Sequence, residues 1–347
     1  MTFSRRAVIA STWAAASLAA CRPGAQTTTR RAHALDTARL NQDFPALAKR
    51  AAPGLFCAGI MSLDSTETWY WNTDRAFPLA GLAAVPIAAA ALSEVDAGRL
   101  ALAEPVRFSA TELSPPFSVI NQRWPDPPEG YSAQAPASTL MSLALRWGDN
   151  TAADVLMKRI GGPGLVTAWL RGLQITEIRI DRYGRETAMD LAALPSFRAA
   201  WKDPAAFLAA RDQVAAPDRQ RAMDGFMADP RDSATVPAML DFLYKLACRQ
   251  VLSAASTTAI LRWMETAAPG GNLLRAGWDR RVRIAHKGGA TPTDLGFTAA
   301  TNDMAIATLP DGRRYAMAAF LAGSTATEAQ RAALFADTAR LMSAAAG

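Results

Sequence analysis

In 347 residues, 50% hydrophobic and 20% charged, there is material for one large domain or two modest ones with a substantial buried core. The net charge of +6 falls to +4 if the chain is cut before Cys21, because Arg5 and Arg6 are lost, and the remaining basic residues are scattered among acids. No Lys/Arg cluster alternates with aromatics, so no nucleic-acid partner is expected.

The chain opens on Ser4-Arg5-Arg6, then the apolar run AVIASTWAAASLAA, then Cys21. A basic start, a short apolar stretch and small residues before the cut read as an export signal over residues 1–20, too short to span a bilayer comfortably. SRRAVI resembles a twin-arginine signal and Leu18-Ala19-Ala20-Cys21 a lipobox. Cys21 is therefore the expected lipidation site, with a periplasmic location and membrane attachment through that lipid. Residues 21–31, including RPGAQTTTRR, read as a polar tether. The other two cysteines, Cys57 in LFCAGIMSL and Cys248 in PAMLDFLYKLAC, are expected to be free thiols behaving as small buried apolar residues.

Residues 32–51 have helical spacing, and 55–64 and 66–72 read as two strands joined by the turn-like LDST. From Gly81 to Glu265 the spacing is mostly helical, as in IAAAALSEVDAG, STLMSLAL and TAADVLMKRIGG with its Gly161-Gly162-Pro163 stop. Strands return in VRIAHKGG, LGFTAATNDMAIATL and RRYAMAAFLAG, the last two joined by Pro310-Asp311-Gly312. Thr325 and Glu328 suggest a capping box that opens a final helix, with Leu334, Phe335, Leu341 and Met342 on the face that covers the sheet. Strands from both ends of the chain thus join one antiparallel sheet, with a helical domain inserted between them.

Counting excludes several chemistries. His33 and His286 are the only histidines, so there is no HExxH, no histidine cluster for zinc and little scope for a Ser-His-Asp triad. No G-x-S-x-G, Walker A or G-x-G-x-x-G occurs, and neither a metal nor a cofactor is expected. His286 has no visible acidic partner and reads as structural. Trp71, Trp124, Trp147 and Trp278 are open to packing or groove-lining roles.

The order of segments resembles the class A β-lactamases and their penicillin-binding relatives, whose motifs are S-x-x-K, S-D-N and K-T-G. FPLAGLAAVPIAAAALSEVDAGRL resembles the active-site helix, WGDNTAADVLMKRIGGPGLVTAWLRGL the S-D-N segment, IRIDRYGRETA the start of the Ω loop, and HKGGATPTDLGFTAATNDMAIATLPDG the K-T-G strand. The resemblance covers nearly the whole mature chain. It implies an α/β (α+β) two-domain fold, with a five-stranded antiparallel sheet flanked by helices (residues 32–75 and 276–347) and an inserted all-helical domain (76–275). An enlarged Ω region spans about 181–233 and is placed to roof the groove.

Under this resemblance the family's chemistry is missing residue by residue. The nucleophilic serine falls on Gly81 and the helix lysine on Ala84, so neither an attacking oxygen nor its proton acceptor remains. The S-D-N serine falls on Gly148, the Ω-loop glutamate on Gly184, the asparagine beyond it on Ala188, and the threonine of the third motif on Gly288. Glu186, two positions from Gly184, is a weak substitute because a catalytic water tolerates little displacement. No serine is followed three residues later by a lysine. A relocated nucleophile such as Ser118 or Ser142 would need a base brought by tertiary structure.

What survives is Asp149, Asn150, Lys287 and Gly289, with the backbone amides of Gly81 and Ala290 at the family's oxyanion-hole positions. Asp149 and Asn150 also read as caps of the following helix, and Lys287 either holds a ligand carboxylate or is a solvated strand-end cation. The leading expectation is an exported, monomeric lipoprotein of β-lactamase type that has lost hydrolysis and binds a peptidoglycan peptide, a β-lactam or a protein. The alternatives are an active β-lactamase or D-Ala-D-Ala-type peptidase using non-standard residues, and a purely structural envelope protein with a collapsed groove.

Overall fold

A computed structural model describes residues 34–123, 133–267 and 272–347. Cys21, His33 and Trp124, with the signal and tether readings, lie outside them.

Five strands form the backbone of the main sheet in the order Thr68–Trp71, Leu55–Ser62, Arg314–Ser324, Phe297–Thr308, Arg283–Ala290. Every neighbouring pair is antiparallel, with Leu55 opposite Ala322, Arg314 opposite Thr308 and Lys287 opposite Met304. A sixth strand of two residues, Thr293–Asp294, turns back on Phe297 and Thr298 at the edge. The two long central strands are buried along almost their whole length because both faces of the sheet are covered: Arg314–Ser324 runs apolar from Tyr315 to Ala322 instead of alternating, whereas Phe297–Thr308 also buries the polar run Thr301-Asn302-Asp303.

One face carries the terminal helices Thr37–Ala48 and Glu328–Ala346, whose Phe44 and Phe335 pack on Phe56. The last helix is capped by Thr327 with Gln330, not by Thr325 with Glu328: Thr327 Oγ1 accepts from the Gln330 amide while Gln330 Oε1 accepts from the Thr327 amide. The other face carries the helix Val236–Ala247 and the inserted domain. At the centre of that domain lies Ala84–Asp96, in which every residue from Ala84 to Leu92 is buried. An apolar surface all round is the pattern of a helix enclosed on every side, and Pro86 is tolerated because it sits in the first turn.

Two further sequence expectations need correction. The inserted domain is not all-helical: Phe77–Pro78 pairs with Ser233–Ala234, and Pro105–Phe108 with Ala133–Pro136, short ribbons whose prolines hide the strand signal. Cys248 is disulfide-bonded, leaving Cys57 as the free, buried thiol among the described cysteines. The enlarged Ω region holds three helices, Gly184–Leu191, Pro204–Asp212 and Ala216–Ala228, with a small core of Met189, Ala192 and Phe207.

Candidate functional site

Gly81 lies in the turn Ala80–Ala83 that leads into the central helix. Asn302 on the sheet pins this turn by donating from Nδ2 to the carbonyls of Pro78 (2.7 Å) and Leu79 (3.0 Å). Ala80 is held at φ 47°, a left-handed conformation that an alanine adopts only under constraint from its surroundings. The turn then meets the edge strand backbone to backbone. A Cβ on Gly289 would stand 2.7 Å from the Gly81 Cα, so that glycine is obligatory.

Lys287 rises from the same edge strand into the groove. Its Nζ lies 3.5 Å from where a Cβ on Gly81 would be, and 3.5 Å from where a Cβ on Gly148 would be. The amine therefore stands between two positions that carry no side chain. It is not a solvated strand-end cation: Lys287 is 5% exposed, donates to the Gly288 carbonyl at 2.6 Å, and pairs with no carboxylate among the described residues. Burial pulls its pKa down to about 8, against a smaller upward pull from Asp303.

Two cavities meet at this point and share Gly81, Pro116, Gly148, Asn150, Ala290 and Pro292. The outer one, about 550 Å³, has Lys287, Arg146, Phe117 and Trp147 on its walls and no aspartate or glutamate among its described lining residues. Trp147 and Phe117 are 46% and 42% exposed, so Trp147 borders the opening, whereas Trp278 is buried in the core and Trp71 packs against it. The inner cavity, about 150 Å³, runs past Ala84 to Asp154, Arg182, Gly184, Ala188 and Phe226. The Ω segment walls it, and Arg219 ties that segment to Asp294 on the sheet edge at 2.8 Å.

Asp149 and Asn150 are brought to the groove but differ in freedom. Asp149 is the helix cap: Oδ1 accepts from the Ala152 amide and Ser118 Oγ, both 2.9 Å, and Oδ2 accepts from the Ile120 amide at 2.9 Å. Asn150 lines both cavities and donates only a long 3.4 Å bond to the Pro115 carbonyl. Ser118 is itself buried against Asp149, Ser142 lines neither cavity, and Glu186 turns away from the groove to accept from the Tyr183 amide at 2.9 Å. His286 has a carboxylate partner after all, since Asp303 lies 3.3 Å from its Nδ1. Adjacent strand residues face opposite sides, so this pair sits behind the groove.

Sequence reasoning misses Asp154, the fully buried carboxyl one helical turn beyond Asn150. Ser114 Oγ donates to it at 2.5 Å, and the amides of Gly184 (2.6 Å) and Arg185 (3.0 Å) do so too, so it closes the start of the first Ω helix. A Cβ at Gly184 would lie only 3.2 Å from Asp154 Oδ1. The available signal is the i, i+4 spacing from Asn150, which puts both side chains on the face that meets the Ω segment. Burial raises the Asp154 pKa to about 6 despite three donors. The folded state thus keeps this proton while the unfolded chain releases it, and stability declines as pH rises from about 4 to about 6. Asp154→Asn, which copies the protonated acid, is expected to flatten that part of a melting-temperature profile; an unchanged slope would remove Asp154 as its source.

Among the described residues no group of three or more His, Cys, Asp or Glu is placed to hold a metal, and no helix is long and apolar enough to cross a membrane. A family profile described as the β-lactamase enzyme family matches residues 39–345. β-Lactamase VEB-1 of Pseudomonas aeruginosa is 25% identical over 295 residues, covering 85% of each chain. The extended-spectrum β-lactamase PER-1 of the same organism is 23% identical, covering 85% of this chain and 82% of the relative. Among solved structures, a β-lactamase from Chitinophaga pinensis DSM 2588 superposes with a TM-score of 0.72 at 26% identity, covering 88% of this chain and 99% of that one. The ancestral Gram-negative class A β-lactamase gives 0.69 at 25%, covering 88% of this chain and 99% of its own.

Proposed function

The chain belongs to the β-lactamase enzyme family, and on that premise we propose that it has lost serine-based hydrolysis and uses the old groove to bind a small ligand bearing a carboxylate, a β-lactam or a cell-wall peptide. The observation that carries this reading is Lys287: a buried cation without a counter-ion, at the floor of an outer cavity whose described lining holds Arg146 and no acid. Taking an unpaired ammonium out of water is costly, and an incoming carboxylate supplies the missing partner. A cavity of about 550 Å³ is in the range that takes drug-sized molecules. The glycines at positions 81, 148 and 184 and the alanine at 84 leave no hydroxyl, no helix lysine and no glutamate where the family places them. Loss of a nucleophile alone lowers kcat by on the order of 10⁶.

The same proposal takes the protein to be an exported, periplasmic monomer. The expected result with purified protein is no turnover of a chromogenic cephalosporin above buffer, together with calorimetric binding of benzylpenicillin that Lys287→Met weakens at least tenfold. Turnover in the parent that vanishes in Lys287→Met would overturn the loss of hydrolysis and restore the reading of an active β-lactamase.

A further inference from the structure

We propose that Lys287 is itself a nucleophile, and that a β-lactam seated in the outer cavity acylates its Nζ to form a stable amide. The inference rests on the groove binding a β-lactam, as proposed above, and adds a covalent fate. Its basis is position. The amine stands 3.5 Å from the would-be Cβ atoms of both Gly81 and Gly148, between the two positions from which serine hydroxyls would project. A carbonyl delivered to that space meets nitrogen instead of oxygen.

The surroundings suit this role. Among the described lining residues of the outer cavity there is no serine, threonine, cysteine, aspartate or glutamate, and the His286 ring is engaged with Asp303 behind the sheet. Lys287 Nζ therefore has no competing side-chain nucleophile there. Its one hydrogen bond, to the Gly288 carbonyl, fixes its direction, and no carboxylate ties up its charge. A lysine desolvated in this manner is the usual form of an amine nucleophile, because a useful fraction is neutral near physiological pH. The charged groups around it are Asp303 on the neighbouring strand and Arg146 on the cavity wall, so once the amine that first attracts the ligand's carboxylate has given up its proton, Arg146 is the cation left to hold that carboxylate.

The step balances without a co-reactant. The Nζ lone pair attacks the ring carbonyl carbon, the ring C–N bond breaks, and a proton from the former amine passes to the ring nitrogen. No water enters and nothing is oxidised or reduced. The product differs from the family's ester in being an amide, which water does not cleave on an enzymatic timescale without activation. One molecule of protein therefore takes up one molecule of lactam and stops.

The test is intact mass spectrometry of the purified protein after incubation with benzylpenicillin at a pH of about 8.5, above the amine's own titration, with calorimetry alongside. The expected result is a single adduct equal to the mass of the whole lactam. It should map to Lys287, resist hydroxylamine, be absent from Lys287→Met, and form at least tenfold faster than any adduct on the exposed Lys49. An adduct on another residue, or one that hydroxylamine strips as an ester, overturns the proposal. Calorimetric binding without any adduct also overturns it while leaving the groove reading intact. Neither binding nor adduct overturns both.

Discussion

Lys287→Met is expected to make the protein more stable at pH 7, by about 2–3 kcal/mol, and the gain is expected to disappear as pH approaches the range where free lysine titrates. In the folded chain the amine titrates at about 8, compared with 10.5 for an ordinary lysine, because it is removed from water without a paired carboxylate. Each unit of such a shift corresponds to about 1.4 kcal/mol between the two protonation states. A lysine pKa lowered by folding means that the unfolded chain binds more protons between about 8 and 10.5. Stability of the parent therefore rises with pH across that window, while below it the full cost is present. Methionine fills a similar volume without a charge, so it removes the cost at neutral pH and gains nothing at high pH. The check is a pair of denaturation series from pH 6 to about 10.5. A methionine variant that is no more stable at pH 7, or whose advantage does not shrink with pH, would show that Lys287 is solvated or paired. A group kept at a thermodynamic loss in an open cavity is the stability-for-function exchange seen at binding sites.

The fold is legible in the sequence wherever burial is continuous. The runs Leu55–Ser62 and Arg314–Ser324 announce themselves because a sheet covered on both faces favours nearly uninterrupted apolar residues. The central helix does so because alanine and leucine occupy every face. The short ribbons at Phe77–Pro78 and Pro105–Phe108 are not legible, since a strand of two to four residues built around proline carries no periodicity. At the site, the sequence shows which family side chains are missing but not what stands in the gaps. That Lys287 leans between Gly81 and Gly148, and that Asp154 reaches the amide of Gly184, are contacts between residues 139 to 206 and 30 positions apart, set only by packing. The same holds for His286 and Asp303, whose pairing depends on the register between two strands. The Cys248 bond is hidden for another reason: cysteine spacing alone does not reveal connectivity.

Arg182→Leu is expected to cost about 3–5 kcal/mol and to open the Ω region to proteolysis. Arg182 is 7% exposed and sits at the entry of that region, while two of the three acids it holds, Asp229 and Asp232, lie near its exit. Its Nε donates to Asp232 at 2.6 Å, and its Nη1 donates to Asp190 at 2.5 Å and lies 3.2 Å from Asp229. Asp232 Oδ1 in turn accepts the amides of Asp181 (2.7 Å) and Arg182 (3.0 Å), so the two ends of the segment are clamped through one carboxylate. Closing a loop of this length has an entropic cost that the clamp offsets. Removing the guanidinium leaves Asp232 buried and unpaired, the situation in which breaking a buried ion pair costs 3–5 kcal/mol. Arg182→Lys should recover only part of the loss, because an ammonium cannot present several donors in a fixed plane to three carboxylates. Limited proteolysis is the readout that separates local from global damage: cleavage within residues 184–231 of the leucine variant, at a temperature where the parent resists, marks release of the Ω segment from the groove. A leucine variant as stable and as protected as the parent would mean that the three small helices hold their place by packing alone. The inner wall of the cavity would then owe nothing to this ion cluster.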